Sequence, residues 1–244
     1  MPHQPIAVTD IIAPLAVFDL DGTLVDTAPD LVATLNTMFA REGLPPVAYE
    51  AARNMVGGGA RALIERGLKA DGRALATEQV DHLVKDFITH YAEHIADHSQ
   101  PFPGLTAALD ALAASGCHLA VCTNKLEWLS VRLLDRLGLS ERFVAICGSD
   151  TFGLQKPNPE LLRRTIIRCK GSTARTIMIG DSISDIDMAR SAGVPIVAVS
   201  YGYSEVPVAQ LGADRVIGAL SELPQTVFDL MGTTEAARAK QGLN

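Results

Sequence analysis

The sequence predicts an α/β fold, a doubly wound parallel sheet of Rossmann-like type with an inserted all-helical domain. Three observations predict it. Short apolar, often β-branched runs recur, each followed by a turn and an amphipathic stretch, the pattern of parallel strands with helices on both faces. The amphipathic stretches stop at glycines, as helices do when the chain must turn left-handed. One long stretch, residues 27–100, breaks the alternation and carries helical pattern without a convincing strand.

LAVFD (15–19) is the first strand. TAPDLVATLNTMFAREG follows, with Thr27 as a cap, Pro29 in the first turn and Gly43 as the stop. MVGGGARALIERGL and a run through EQVDHLVKDFITHYAEHIADH continue the helical pattern, and Pro101 and Pro103 mark the return. A core over residues 1–26 and 101–244 and a helical cap domain over 27–100 are therefore expected. Helices LTAALDALAAS, LEWLSVRLLDRLG, PELLRRTIIRCK and DIDMARSAG then alternate with strands HLAVCT (118–123), VAIC (144–147), TIMIGD (176–181), PIVAVS (195–200) and RVI (215–217). From about Gly232 the chain reads as a frayed tail.

With 244 residues, 48% hydrophobic and 20% charged, the chain can bury a real core. A net charge of -7 argues against a non-specific nucleic-acid binder, which needs excess Lys and Arg to replace counterions. Cys117, Cys122, Cys147 and Cys169 form no CxxC pair, so they read as buried thiols in a reducing compartment. The first 19 residues lack a basic start and an uninterrupted apolar run, so neither a signal peptide nor a membrane span is expected. A cytoplasmic monomer or homodimer without nucleic-acid or membrane partners is the expectation.

In an open parallel sheet, ligands bind outside the carboxyl ends of the strands, so acids at those tips carry particular meaning. VFDLDGTLVDT puts Asp19 at the first strand's end and Asp21 two residues on, with Gly22 able to turn the second carboxylate back. Such a pair can divide labour, one acid ionised as nucleophile or metal ligand and the other partly protonated for acid and base work. A turn or cap cluster would use the same residues. A calcium loop is disfavoured, because Leu24 stands where that loop requires glycine.

VCTNK offers the Thr123 hydroxyl and the Asn124 amide to an oxyanion, or to a helix cap. In GLQKPNPE, Lys156 is held extended before Pro157 and can supply a point charge against phosphate. IGDSISDIDMA ends a strand at Asp181, with Ser182 next and Asp185 about one helical turn on. Asp181 suits an oxygen-rich magnesium site, or a simple helix cap.

These four groups, in this order and on these strand ends, resemble the haloacid dehalogenase superfamily over nearly the whole chain. The resemblance implies that Asp19 is the nucleophile that becomes an aspartyl phosphate, and that Asp21 protonates the leaving alkoxide and then activates water. It implies that Thr123, Asn124 and Lys156 bind the transferring phosphoryl group, while Asp19, the backbone carbonyl of Asp21 and Asp181 hold Mg2+. Ser182 and Asp185 would stand behind them, Asp185 orienting Lys156 or a metal-bound water. The physical need is plain: a carboxylate attacking a phosphate dianion is repelled, so a divalent cation and a lysine must offset the charge.

Within the superfamily, Asp21 disfavours dehalogenases and phosphonate hydrolases. FDLDGTLVDTAPDL, MVGGGARALI, TNK, QKPNPELL, GDSISDIDMARSAG and VSYGYSEVPVAQLGADRVI are similar to the branch that hydrolyses 2-phosphoglycolate to glycolate and phosphate. That similarity implies that the Gly57 to Gly59 loop, Gly58 included, comes down over the site with Arg61 meeting the substrate carboxylate; a flexible connection between helices would use the same glycines. Leu126 departs from the pattern, standing where relatives often carry proline. The same acids would serve a broad sugar-phosphate phosphatase or a phosphoglucomutase. A non-catalytic scaffold would not need all of them together with Lys156. His90, His94 and His98, four apart, are expected to be the solvated face of a helix rather than a metal site.

Overall fold

Strand β1 (Leu15–Phe18) is buried over its whole length, and its side chains divide between two apolar layers. Ala16 and Phe18 face one layer, Leu15 and Val17 the other, as the two-residue period of a strand dictates. The computed structural model describes residues 13–240, with side chains described up to residue 232. The reading of the first residues as free of a targeting signal falls largely on positions 1–12, outside the described residues.

Five more strands complete an all-parallel sheet with β1 between β4 and β6, in the order β5-β4-β1-β6-β7-β8. These are β4 (His118–Cys122), β5 (Ala145–Cys147), β6 (Thr176–Gly180), β7 (Ile196–Val199) and β8 (Arg215–Ile217), each within a run read from the sequence. Helices α5 (Leu105–Ala114), α6 (Glu127–Arg136) and α9 (Leu223–Lys240) cover the face that takes Phe18. Helices α7 (Pro159–Arg168) and α8 (Ile183–Ala192) cover the other. A doubly wound sheet results. The chain leaves β1 for β4 on one side and reaches β6 on the other, so the topological switch point, where such sheets open a crevice, lies at the end of β1.

The helical insertion hangs from a pair of two-residue strands, β2 (Val25–Asp26) and β3 (Gln100–Pro101), which run antiparallel with Asp26 opposite Gln100. Between them lie α1 (Ala28–Arg41), α2 (Tyr49–Arg53), α3 (Gly59–Ala70) and α4 (Thr77–Glu93). Asp30 staples the two chain crossings. Its buried carboxylate accepts the N–H groups of His98 and Ser99 and the Ser99 hydroxyl, at 2.6–3.1 Å. Neither β2, β3 nor the short α2 is legible as a period in the sequence, because two to five residues cannot display one.

Four expectations are corrected. Thr27 does not cap α1 with its side chain: its hydroxyl donates to Asp21 Oδ1 at 2.7 Å, while the N–H groups of Thr27 and Ala28 donate to the Tyr203 hydroxyl. The histidines do not share one helix, since α4 ends at Glu93 and His98 lies beyond it. The expected frayed tail is helical as far as Lys240, in keeping with the Ala, Glu, Arg and Lys of its sequence, and positions 241–244 lie outside the described residues. Cys169 is half-buried rather than buried; all four thiols are free. Among the described residues no helix is long and apolar enough to cross a membrane.

Candidate active site

Asp19 follows β1 directly, and its N–H extends the ladder to the Ile179 carbonyl at 2.9 Å, so the carboxylate is fixed at the switch point. Lys156 arrives from the loop before α7. Its Nζ stands 2.7 Å from Asp19 Oδ1 and 2.7 Å from Asp185 Oδ1, with the lysine side chain 1% exposed. Asp181 follows β6 and accepts the Tyr203 N–H at 2.7 Å and, more distantly, the Thr23 hydroxyl at 3.4 Å. Asp185, in the first turn of α8, accepts the Ser182 hydroxyl at 2.6 Å and the Ser182 N–H at 3.2 Å.

One carboxylate oxygen from each of Asp19, Asp181 and Asp185 lies within 4.8 Å of the others. Glycines make this crowding possible: a Cβ on Gly22 or Gly202 would overlap Asp181, and one on Gly180 would overlap Asp185. Gly22 also needs its positive φ of 83°, which lets the chain turn back after Asp21.

Three buried acids stand about one ammonium, and the imbalance shows in the protonation of Asp19 and Asp181. Burial, partly offset by Lys156, pushes Asp19 up to about 6, with Asp185 and Asp21 adding repulsion. Burial, then Asp19 and Asp185, push Asp181 up to about 8. Burial alone would lower Lys156, but Asp185 and Asp19 outweigh it and hold the ammonium charged. Such a cluster lacks positive charge and offers only oxygen donors. It therefore fits a hard divalent cation.

Asp21 stands apart from this trio. Its carboxylate is held by Lys125 Nζ at 2.9 and 3.3 Å and by Thr27. Sequence reasoning gave Lys125 no part, although its place directly after a strand end was the available signal. Thr123 is buried and its Oγ1 accepts the Lys125 N–H at 3.3 Å. Asn124 joins two segments: Oδ1 accepts the Lys156 N–H at 2.8 Å, and Nδ2 donates to the Gly57 carbonyl at 3.1 Å.

The second bond brings the glycine loop of the insertion down onto the core. Beneath it lies a cavity of about 410 Å³, lined by Asp21, Asn124 and Lys125 and by Gly58, Tyr91 and Phe87 of the insertion. Arg61 also lines it, but its guanidinium pairs with Asp81 and, at 3.5 Å, with Glu65 on the exposed side of α3. On the outer surface, His90, Glu93 and His94 bring ligand atoms within 4.8 Å of one another; His94 is exposed and bonded to Asp97.

Acids gathered at the carboxyl edge of a doubly wound sheet, together with a buried ammonium, stand where open α/β sheets bind ligands. Residues 16–199 match the model of the haloacid dehalogenase-like hydrolases, and the chain belongs to that family. It is 48% identical over 219 residues to a phosphoglycolate phosphatase of Caulobacter vibrioides, covering 90% of this chain and 92% of the relative. It is 38% identical over 208 residues to an N-acetylmuramic acid 6-phosphate phosphatase of Pseudomonas aeruginosa, covering 84% and 91%. The crystal structure of a predicted phosphoglycolate phosphatase from Haemophilus somnus superposes with a TM-score of 0.80 at 28% identity, over 88% of this chain and 97% of that one.

Proposed function

We propose that the protein is a magnesium-dependent phosphatase that hydrolyses 2-phosphoglycolate to glycolate and phosphate through an aspartyl phosphate on Asp19. The observation that carries the reading is the convergence of Asp19, Asp181 and Asp185 at the switch point, with Lys156 paired to Asp19 and Asp185. Similarity to phosphatases of phosphorylated acids supports the substrate.

Asp19 attacks phosphorus. Lys156 lies on the attacking carboxylate and offsets its repulsion from the phosphate, while Asp185, fixed by Ser182, keeps the ammonium in place. The Thr123 hydroxyl and Asn124 amide bind the phosphoryl oxygens. Asp21 gives a proton to the leaving alkoxide of glycolate and later takes one from the water that opens the aspartyl phosphate. Asp19, the Asp21 carbonyl and Asp181 would hold Mg2+, which would supply Lewis-acid neutralisation of phosphoryl charge.

Residues 27–100 form the cap domain over a core of 1–26 and 101–244, and Gly58, with the loop bonded to Asn124, closes the site against water. The protein acts on a small phosphorylated metabolite in the cytoplasm, as a monomer or homodimer. A larger phosphorylated sugar acid is a second reading, favoured by the Pseudomonas relative.

Steady-state phosphate release tests the proposal, comparing 2-phosphoglycolate, N-acetylmuramic acid 6-phosphate and glucose 6-phosphate with and without chelator. The expected result is the highest kcat/KM for 2-phosphoglycolate and none after chelation. A preference of about 10-fold for either larger ester would remove the substrate, and no release from any would remove the phosphatase.

A further inference from the structure

With the Arg61 guanidinium paired outward, the cavity draws its positive charge from another side chain. Lys125 lines it from the core, its side chain 5% exposed and its Nζ 4.5 Å from the centre of the Tyr91 ring. Tyr91 lines it from α4, and its buried hydroxyl, which interacts with the Lys125 ammonium, donates to no acceptor among the described residues. A buried donor without an acceptor costs about 1–3 kcal/mol, so its retention beside a cavity marks a donor kept for a ligand.

We propose that Lys125 and Tyr91 form the receptor for the carboxylate end of the substrate, which makes the ligand class phosphate monoesters of small hydroxy acids. The assignment rests on the phosphatase reading above. An ammonium has three donors; Asp21 takes part of that capacity and leaves the rest for a second acceptor. Burial pushes the Tyr91 hydroxyl up to about 12, so it remains a donor at neutral pH.

One ammonium shared with Asp21 and one neutral hydroxyl, between Leu31, Phe87 and Ile88, suit a monoanion better than a second phosphate dianion. Because Tyr91 belongs to the insertion and Lys125 to the core, a carboxylate held by both would also draw the two together. Specificity and closure would then have the same cause.

The test compares 2-phosphoglycolate with ethyl phosphate, which lacks the carboxylate, on the full-length protein and on Tyr91→Phe and Lys125→Met. Tyr91→Phe is expected to lower the ratio of kcat/KM for 2-phosphoglycolate over ethyl phosphate about 10-fold, mainly through KM, and Lys125→Met to lower it further. If Lys125→Met does not fold, Tyr91→Phe alone decides. Equal losses on both esters, or a ratio unmoved by Tyr91→Phe, overturn the receptor and leave the phosphatase standing. A wild-type protein that hydrolyses neither ester overturns the phosphatase, and the receptor with it.

Discussion

The ammonium of Lys156 stands 2.7 Å from an oxygen of Asp19, with both side chains almost wholly buried. Removing one partner of a buried ion pair leaves the other charge uncompensated, at a cost of about 3–5 kcal/mol. Lys156→Met is therefore expected to lower the melting temperature of cation-free protein, and to cut phosphatase kcat/KM about 10³-fold. Calorimetry and phosphate release check the two effects separately.

Protonation of Asp19 and Asp181 makes stability depend on pH. Asp19 and Asp181 are raised to about 6 and about 8 from an ordinary 3.8, so between those limits the folded state binds more protons than the unfolded. Their stabilisation is fully present below the ordinary value and is lost as pH rises through the folded values. Chelator-treated protein should thus melt at progressively lower temperature from about pH 5 to about pH 8. Added Mg2+, competing with those protons, should raise the melt most at the alkaline end, and Asp181→Asn should flatten the cation-free profile.

Gly202 has no room for a methyl group, because its Cβ would overlap the Asp181 carboxylate. Gly202→Ala is expected to displace Asp181 at a stability cost of about 1–3 kcal/mol, and to weaken Mg2+ binding about 10-fold. Isothermal titration with Mg2+ reads the second effect directly. An unchanged affinity would mean that Asp181 is not a ligand.

Tyr203 joins two regions of the protein. Its N–H holds Asp181, while its hydroxyl donates to Asp26 at 2.6 Å and accepts the N–H groups that start α1. Tyr203→Phe removes only the hydroxyl contacts, so a loss of about 1–3 kcal/mol in urea unfolding is expected. Mg2+ affinity should remain within about 2-fold of wild type, since the backbone donor to Asp181 survives.

How much of this could be read from sequence follows from where each signal is encoded. The inner strands of the sheet were legible because burial on both faces forces continuous apolar runs, as in LAVF and TIMIG, whereas β8, exposed at Arg215 and Val216, showed only as a short run. Asp19 and Asp181 stood out because apolar strands have no need of acids at their tips, and Asp185 because it follows Asp181 by about one helical turn. Lys125 did not, since a lysine after a strand is ordinarily solvated and this one is buried by helices distant in sequence. Asp30 and Tyr203 were hidden for the same reason: their partners lie 68–69 and 175–177 residues away. Thr27 matched a capping pattern, yet the buried Asp21 carboxylate offered its hydroxyl a charged acceptor.

The most direct test is the activity of Asp19→Asn on 2-phosphoglycolate at saturating Mg2+, with folding verified by its melt. An amide in place of the attacking oxygen should lower kcat by about 10⁴-fold or more and leave no acid-stable phosphoryl adduct on the peptide containing residue 19, whereas wild type quenched during turnover should carry one. Retention of more than about a tenth of wild-type kcat would contradict nucleophilic attack by this residue.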